Sequence, residues 1–343
     1  MRALLYEEYG GPLRVVDVPE PMPSADGVVI RVGATGVCRS DWHGWQGHDP
    51  DITLPHVPGH ELAGTIEAIG AGVRRWRVGD RVTVPFVCAC GSCPRCAAGD
   101  HQVCDRQTQP GFTHWGSFAE LVALHAADVN LVALPDAMSF TTAAALGCRY
   151  ATSFRAVVDH GRVRPGEWLA VHGCGGVGLS AVQIAVAGGA RVVAVDVNAA
   201  ALAMATAVGA EAVVEATGLT PLAVSQAVRD VTGGGAQISL DALGSEATCA
   251  ASVLSLRPRG RHVQVGLLPG GSAVPMDRVV ALELELYGSH GMPAHAYPEL
   301  LGLVTSGRLR PDLLVAREIT LAESAEALAA VGQVAGLTVV TSF

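Results

Sequence analysis

Residues 37–45, VCRSDWHGW, carry five reactive side chains within six consecutive positions. These groups are a thiol, a guanidinium, a hydroxyl, a carboxylate and an imidazole, on Cys38, Arg39, Ser40, Asp41 and His43. Cys38 could act as a nucleophile with His43 as its base, ligate a metal ion, or fill a buried position as a small apolar residue. The stretch alone does not separate these roles, so the choice depends on the rest of the chain.

A second cysteine-rich stretch, residues 90–104, reads CGSCPRCAAGDHQVC. Its spacing is C-x2-C-x2-C-x7-C, formed by Cys90, Cys93, Cys96 and Cys104. Thiolates at such short spacings can all lie about 2.3 Å from one tetrahedral zinc ion, and four of them leave no open coordination position. The stretch therefore predicts a structural zinc site, with an iron–sulfur cluster as the competing interpretation.

A glycine-rich motif follows the apolar, strand-like run WLAV and precedes a helix-like segment. Glycines in the pattern G-x-G-x-x-G allow a tight turn and let a pyrophosphate approach a helix N-terminus. Asp196 ends the next strand-like run, RVVAVD. A carboxylate there accepts hydrogen bonds from ribose hydroxyls and repels a 2′-phosphate, which favours NAD over NADP. The expected cofactor contacts of this region are Gly173, Gly175, Gly176, Val177, Gly178 and Asp196.

Length and composition bound the class of protein. A chain of 343 residues is longer than a single hydrophobic core usually supports, so we expect two domains. Half of the residues are apolar, 16% are charged, and the net charge is −9 with no run of Lys or Arg, so neither a nucleic acid nor a membrane is an expected partner. No apolar run reaches the roughly 18 residues of a membrane span. Nine cysteines without a secretion signal favour a cytoplasmic location.

The order of strand-like and helix-like segments predicts the fold class. Residues 1 to about 135 consist of short alternating runs broken by Gly and Pro, which is typical of a β-rich, barrel-like domain. From about residue 140, buried apolar strands alternate with helices, which predicts an α/β domain with a doubly wound parallel sheet. The final segment adds two helices and the strand-like LTVVTSF.

Three separated residues could form a second, open metal site. Cys38 lies in VCRSDWHGW, His60 in PGHELAG and Cys148 in LGCRYATS. Two cysteines and one histidine can hold zinc and leave a fourth position for water or substrate. Each residue alone is weak evidence, because a single buried cysteine or histidine is usually a packed core residue. The hypothesis therefore depends on their occurrence beside the cysteine-rich stretch and the glycine motif.

The chain resembles the zinc-dependent medium-chain alcohol dehydrogenases over essentially its whole length. Residues 59–73, GHELAGTIEAIGAGV, match that family's GHE-x2-G-x5-G-x2-V signature at every fixed position, and GDRV follows at 79–82. The resemblance implies a GroES-like catalytic domain over 1–146, a Rossmann domain over 147–288, and a return to the catalytic domain over 289–343. It also implies a homo-oligomer, with a tetramer favoured over a dimer, that acts on a small alcohol or aldehyde.

The resemblance also assigns roles to the reactive residues. It implies that Cys38, His60 and Cys148 ligate a catalytic zinc, that Glu61 can transiently join them, and that Asp41 orients the ligand histidine. The nucleophile role for Cys38 is then the least favoured, because a zinc-bound thiolate is already occupied.

Other implied roles concern proton transfer, cofactor binding and substrate binding. Ser40 would meet the substrate hydroxyl, and His43 would be the outer member of a proton relay. Further implied contacts are the cofactor neighbours Arg39, Thr152 and Val265, and the pocket residues Trp45 and Phe86.

Two positions depart from the family pattern. Leu337 stands where many members carry an arginine that grips the pyrophosphate, which leaves Arg39 as the main cation there and predicts weaker NAD binding. Arg149, directly after Cys148, is unusual. An ion pair with a nearby acid and a contact with the cofactor are both open interpretations of it.

These observations predict an NAD-dependent zinc alcohol dehydrogenase with two zinc ions per chain. It would interconvert primary, aromatic or secondary alcohols and the matching aldehydes or ketones by hydride transfer. Within the family, the alternative is a zinc dehydrogenase acting on a polyol, threonine or formaldehyde; Cys148 argues against the polyol type, which usually has glutamate there. Outside it, the alternative is a non-catalytic NAD- or zinc-binding protein.

Overall fold

The computed structural model describes residues 1–268 and 270–343. Its strands are β1 (Arg2–Leu5), β2 (Arg14–Asp17), β3 (Val28–Val37), β4 (Glu61–Ile69), β5 (Arg81–Thr83), β6 (Leu121–Leu124), β7 (Val132–Ala133), β8 (Trp168–His172), β9 (Arg191–Asp196), β10 (Ala212–Glu215), β11 (Ala236–Asp241), β12 (Leu256–Gln264), β13 (Glu285–Gly288), β14 (Val315–Thr320) and β15 (Leu337–Ser342).

The α-helices are α1 (Arg39–Trp45), α2 (Pro94–Ala97), α3 (Ala127–Asn130), α4 (Phe140–Ala144), α5 (Ala151–Arg155), α6 (Gly176–Ala187), α7 (Ala199–Ala207), α8 (Pro221–Thr232), α9 (Glu246–Leu254), α10 (Met276–Ala281), α11 (Tyr297–Thr305) and α12 (Ser324–Ala329). Turns of π-helix occupy Leu146–Tyr150 and Ala156–His160, and 3-10 turns occupy His101–Val103, Ala294–Ala296, Pro311–Leu314 and Leu321–Glu323. In the described part of the chain, no helix has the length and apolarity that crossing a membrane requires.

The chain divides into two compact units. The first unit comprises Met1–Ala151, Gly291–Thr305 and Val315–Phe343, and the second comprises Thr152–His290 and Ser306–Leu314. The domain limits expected from the sequence, 1–146, 147–288 and 289–343, stay a prediction.

The second unit is built on a six-stranded parallel sheet in the order β10-β9-β8-β11-β12-β13. All five residues of β8 are buried, as are residues 192–195 of β9. Such continuous apolar strands are typical of a parallel sheet covered by helices on both faces. The strand order is that of the Rossmann fold, in which ligands bind where the order reverses, here between β8 and β11. The predicted doubly wound α/β domain is therefore confirmed.

The first unit is built on a seven-stranded sheet in the order β14-β15-β3-β4-β5-β7, with β6 also paired to β3. β3 organises this sheet, because it pairs with β4, β6 and β15 and buries eight of its ten residues. The expected β-rich, GroES-like fold is confirmed. β3 ends at Val37 and β4 begins at Glu61, so the ends of two paired strands position Cys38 and His60.

Several elements had no counterpart in the sequence analysis, namely β1, β2, β6, β7, β13, β14, α9, α10 and the short helices α1, α2 and α3. β13 and β14 expose alternate or consecutive residues, and α10 buries none, so these segments lack a clear apolar period. The first of the helices expected from about residue 140 is present, but π turns interrupt it and shift the side-chain positions from those of a regular α-helix.

Candidate active site and metal centres

Asp41 is the buried carboxylate around which the first group of candidate metal ligands is arranged. It lies in the first turn of α1, where its Oδ2 accepts a hydrogen bond of 3.0 Å from the backbone N–H of Cys38. Its Oδ1 accepts hydrogen bonds from the backbone N–H of Gly59, at 3.0 Å, and from Nδ1 of His60, at 2.8 Å. The same side chain thus caps the helix and fixes the orientation of the His60 ring.

The other nitrogen of His60 is available to a metal ion. Because an ionised carboxylate only accepts hydrogen bonds, Nδ1 carries a proton and Nε2 is the nitrogen that a neutral ring would offer to a metal ion. Burial opposes a charge on His60, but Asp41 and Cys38 outweigh it and raise the pKa of the ring, so a metal ion bound at Nε2 would take the place of a proton. Nε2 is buried and has no hydrogen-bond partner in residues 1–268 and 270–343. A buried, unpartnered acceptor is costly unless a ligand satisfies it.

Three other side chains converge on His60. One potential ligand atom from each lies within 4.8 Å of all the others, in the set Cys38, His60, Glu61 and Cys148. A hydrogen bond with the Cys148 thiol lowers the pKa of Cys38 and raises that of Cys148. Two thiols and one imidazole fit zinc with one position left open, whereas the carboxylate is held in a different interaction.

Glu61 forms a buried ion pair with Arg149. The Arg149 Nε donates to Oε1 at 2.8 Å, its backbone N–H donates to the same oxygen at 3.1 Å, and its terminal nitrogen contacts Oε2. Burial raises the pKa of Glu61 to about 7, and the Arg149 charge opposes that rise. A Cβ on Gly36 would lie 2.2 Å from Glu61 Oε2, so a glycine is required where β3 passes this pair.

The ion pair bears on one of the two departures from the family pattern. Of the two interpretations left open for Arg149, the pairing with an acid is found. Leu337, the other departure, is fully buried in the strand β15. The predicted effect of Leu337 on NAD binding stays a prediction.

The remaining reactive residues of α1 lie toward the surface. Ser40 and His43 are half-buried, and Arg39 is exposed with its guanidinium 5.0 Å from the Trp42 ring. Nδ1 of His43 lies 3.0 Å from Nδ1 of His48. Burial, followed by the charges of Arg39 and His48, lowers the pKa of His43. The sequence analysis did not select His48, because it lies beyond the helix and belongs to no motif.

The two proposed pocket aromatics have different surroundings. The Phe86 ring lies 6.1 Å, centre to centre, from the His60 ring. Trp45 packs in an apolar cluster with Tyr6 and Phe112, and its indole N–H donates to the carbonyl oxygen of Gly11 at 2.9 Å. Phe86 is thus beside the metal cluster, whereas Trp45 has clear packing contacts of its own.

The cysteine-rich stretch folds into a second cluster. Its sulfur–sulfur separations are 3.5 Å for Cys93 and Cys96, 3.7 Å for Cys93 and Cys104, and 4.0 Å for Cys90 and Cys96. Four sulfurs at 2.3 Å from one tetrahedral ion would be separated by about 3.8 Å. The separations therefore fit a single ion better than a multi-iron cluster. Backbone N–H groups donate to these sulfurs, and that of Ser92 lowers the pKa of Cys90 to about 5.

The glycine motif forms the turn between β8 and α6. Gly173 has a φ of +92°, and a Cβ on Gly178 would lie 1.8 Å from the carbonyl oxygen of Gly173. Apart from Gly175 and its two chain neighbours, no described atom lies within 4 Å of the place that a Cβ on Gly175 would take, so the N-terminus of α6 is open at that point. These features match a pyrophosphate-binding turn.

Asp196, Thr152 and Val265 are three further expected cofactor residues, and they belong to the same unit as this turn. Asp196 ends β9; its Oδ2 accepts a hydrogen bond of 2.5 Å from the backbone N–H of Cys174, and its Oδ1 one of 2.8 Å from Asn198. Oγ1 of Thr152 is buried and has no hydrogen-bond partner among the described residues. The backbone N–H of Val265 donates to the carbonyl oxygen of Asp241, which ties it to the end of β11.

Comparisons with known proteins agree with these features. The family models "Alcohol dehydrogenase GroES-like domain" and "Zinc-binding dehydrogenase" match residues 24–136 and 176–306. An alcohol dehydrogenase of Geobacillus stearothermophilus is 35% identical over 312 residues, 90% of each chain, and one of Rhizobium meliloti (strain 1021) is 37% identical over 292 residues, 84% of each. A crystal structure of an NAD-dependent alcohol dehydrogenase matches with a TM-score of 0.89 at 32% identity, over 100% of both chains.

The two folds and the two donor sets define an oxidoreductase of the zinc-binding dehydrogenase class. Relatives of this identity and coverage make the assignment more specific. The chain belongs to the zinc-dependent medium-chain alcohol dehydrogenase family.

Replacing Arg149 with Met is expected to lower the free energy of unfolding by about 3–5 kcal/mol, because Glu61 would stay buried without its counter-charge. The control is Arg31→Met, which removes a bidentate pair with Glu67 at the surface. That change is expected to cost less than about 1 kcal/mol. Urea unfolding of the metal-loaded protein measures both, and equal losses would contradict a special contribution from the buried pair.

Proposed function

We propose that this protein is a zinc-dependent, NAD(H)-linked alcohol dehydrogenase that interconverts small alcohols and their aldehydes or ketones. The observation that carries the proposal is the buried cluster of Cys38, His60 and Cys148, in which the unpartnered Nε2 of His60 faces two sulfurs. Two cysteines and a histidine are a donor set of catalytic zinc in alcohol dehydrogenases. The single zinc in that cluster and the four-cysteine zinc together make two ions per chain.

In the proposed reaction, different residues of the first unit would bind the metal, orient its histidine ligand and accept the proton. Zinc, when bound, supplies a Lewis acid that favours loss of the alcohol proton, and NAD supplies the hydride acceptor. Cys38, His60 and Cys148 hold the metal, and Asp41 keeps the His60 proton on Nδ1. Ser40 takes the proton of the alcohol.

His43, Glu61 and Arg149 have supporting roles in the proposed reaction. His43 carries the proton onward, and its lowered pKa favours release near neutral pH. Arg149 holds Glu61 beside the metal ligands, so transient ligation by Glu61 would require that ion pair to loosen.

The second unit supplies the cofactor site in this proposal. Its Rossmann strand order, the open N-terminus of α6 and the carboxylate of Asp196 support NAD as the cofactor. A related structure described as NAD-dependent supports the same choice. Arg39 and Thr152 are the proposed pyrophosphate and nicotinamide neighbours.

The proposal also covers the substrate pocket and the assembly. Phe86 is the pocket residue with the strongest support, because its ring contacts the His60 ring. Trp45 is the second proposed pocket residue. A homotetramer in the cytoplasm is the expected form, and a zinc dehydrogenase for threonine, formaldehyde or a polyol is the alternative activity.

The decisive assay measures NADH formation by zinc-loaded protein with primary, secondary and aromatic alcohols, and with threonine, formaldehyde and polyols. Alcohol-dependent reduction of NAD is expected, with NADP a poorer acceptor because Asp196 repels a 2′-phosphate. Preference for threonine, a polyol or formaldehyde would select the alternative activity. No reduction with any substrate, at full zinc content, would favour the non-catalytic protein.

Ser40→Ala is expected to lower turnover by about 100-fold or more, because the alcohol proton then has no positioned acceptor. Zinc content, measured by elemental analysis, should stay near two ions per chain. Ser40→Thr keeps a hydroxyl and should retain most of the turnover. Unchanged turnover in the alanine variant would exclude Ser40 from proton transfer.

Cys93→Ser is expected to remove one zinc ion and lower the melting temperature, while turnover per folded molecule changes little, because the four-cysteine cluster has no open coordination position. The matched control is Cys88→Ser, a neighbouring buried cysteine outside the cluster, which should keep both ions. Loss of hydride transfer in well-folded Cys93→Ser protein would contradict a purely structural role.

A further inference from the structure

His48 forms a pair with His43 that no family motif accounts for. The two Nδ1 atoms lie 3.0 Å apart, within hydrogen-bond distance, and the ring centres are 5.3 Å apart. Both rings also pack edge-on against Trp42, at 5.1 and 5.9 Å. His48 is exposed, whereas His43 is half-buried. The pair therefore connects a residue near the metal cluster to bulk water.

We propose that His48 is the proton carrier after His43, so that protons released by oxidation of the substrate leave through the His43–His48 hydrogen bond. This inference rests on the proposed function and extends it by one residue. The hydrogen bond described for the His43 ring involves Nδ1, which leaves Nε2 as the nitrogen that receives a proton from the active site.

The proton transfer balances without any redox partner. His43 starts with its proton on Nδ1, and His48 starts with a lone pair on Nδ1. His43 gains a proton at Nε2 and passes its Nδ1 proton to Nδ1 of His48. His48 then loses its Nε2 proton to water, so one proton has crossed the pair. His43 is then left with its proton on Nε2 and His48 with its proton on Nδ1, and turning of both rings with exchange of these protons with water restores the starting tautomers.

The surroundings of His43 favour this direction of transfer. The charged or titratable groups that act on it are Arg39 on the same helix, Cys38 at the start of that helix, and His48 from the segment that follows. Burial and the Arg39 charge both disfavour an imidazolium at His43. The Nδ1 atom through which His43 would otherwise reach water is occupied by His48, so the proton passes to the more exposed ring.

His48→Asn separates proton transfer from positioning, because an amide can still hydrogen-bond to Nδ1 of His43 but does not carry a proton at neutral pH. Turnover in dilute, non-nucleophilic buffer is expected to fall at least about tenfold. Added imidazole is expected to restore most of it. A purely structural role would leave turnover unchanged in the asparagine variant or produce a loss that imidazole does not repair.

The matched control is His125→Asn. His125 is also an exposed histidine that packs edge-on against a less exposed one, His114, at 5.3 Å, and it belongs to the same unit. It is not part of the proposed site. Its replacement should leave both turnover and the response to imidazole unchanged, whereas a loss equal to that of His48→Asn would overturn the proposal.

A second measurement does not depend on turnover. In nuclear magnetic resonance titrations of histidine-labelled, zinc-loaded protein, His48→Asn is expected to raise the pKa of His43, because the His48 charge contributes to lowering it. An unchanged His43 titration would overturn the pairing in solution.

Absence of hydride transfer in the unsubstituted protein would overturn the proposed function and this inference together. Full activity of His48→Asn beside an active parent would overturn this inference alone.

Discussion

The three hydrogen bonds accepted by the Asp41 carboxylate are the interaction on which the metal cluster depends. They join the backbone before α1 to the backbone before β4 and to the His60 ring, and all three groups are buried. One anion therefore sets both the spacing of two metal ligands and the tautomer of one of them. The paired strands β3 and β4 bring the segments together, and Asp41 fixes their last residues.

A second link between ligand segments comes from the residues that directly follow two of the ligands. Glu61 follows His60 and Arg149 follows Cys148, and their ion pair ties β4 to the π-helical turn. The pair adds no net charge beside the metal site. Its desolvation is offset because Arg149 directs three donors at the two carboxylate oxygens. This geometry also explains why β3 needs Gly36 opposite Glu61.

The sequence was most informative where a local pattern has one physical cause. The glycine motif, the cysteine spacing and the apolar strands β8 and β9 each indicated a structure that the chain adopts. Cys38, His60 and Cys148 could be grouped only as a hypothesis, to which the family resemblance then gave roles, because their convergence depends on long-range strand pairing. The partner of Arg149 and the contact of His48 with His43 had no signal, since each depends on side-chain geometry across separate segments. Surface elements such as α10 were missed because their sequences have no apolar periodicity.

The π-helical turn at Leu146–Tyr150 makes the length of this segment as important as its composition. Such a turn accommodates one residue more than an α-helical turn between the same flanking helices. Removing a single residue there would restore a regular helix and rotate the side chains on one side of the deletion by about 100°. Cys148 and Arg149 would then point away from Cys38 and Glu61, although every ligand would still be encoded. Loss or gain of the metal centre in this fold can therefore arise from deletion or insertion of one residue rather than from replacement of a ligand.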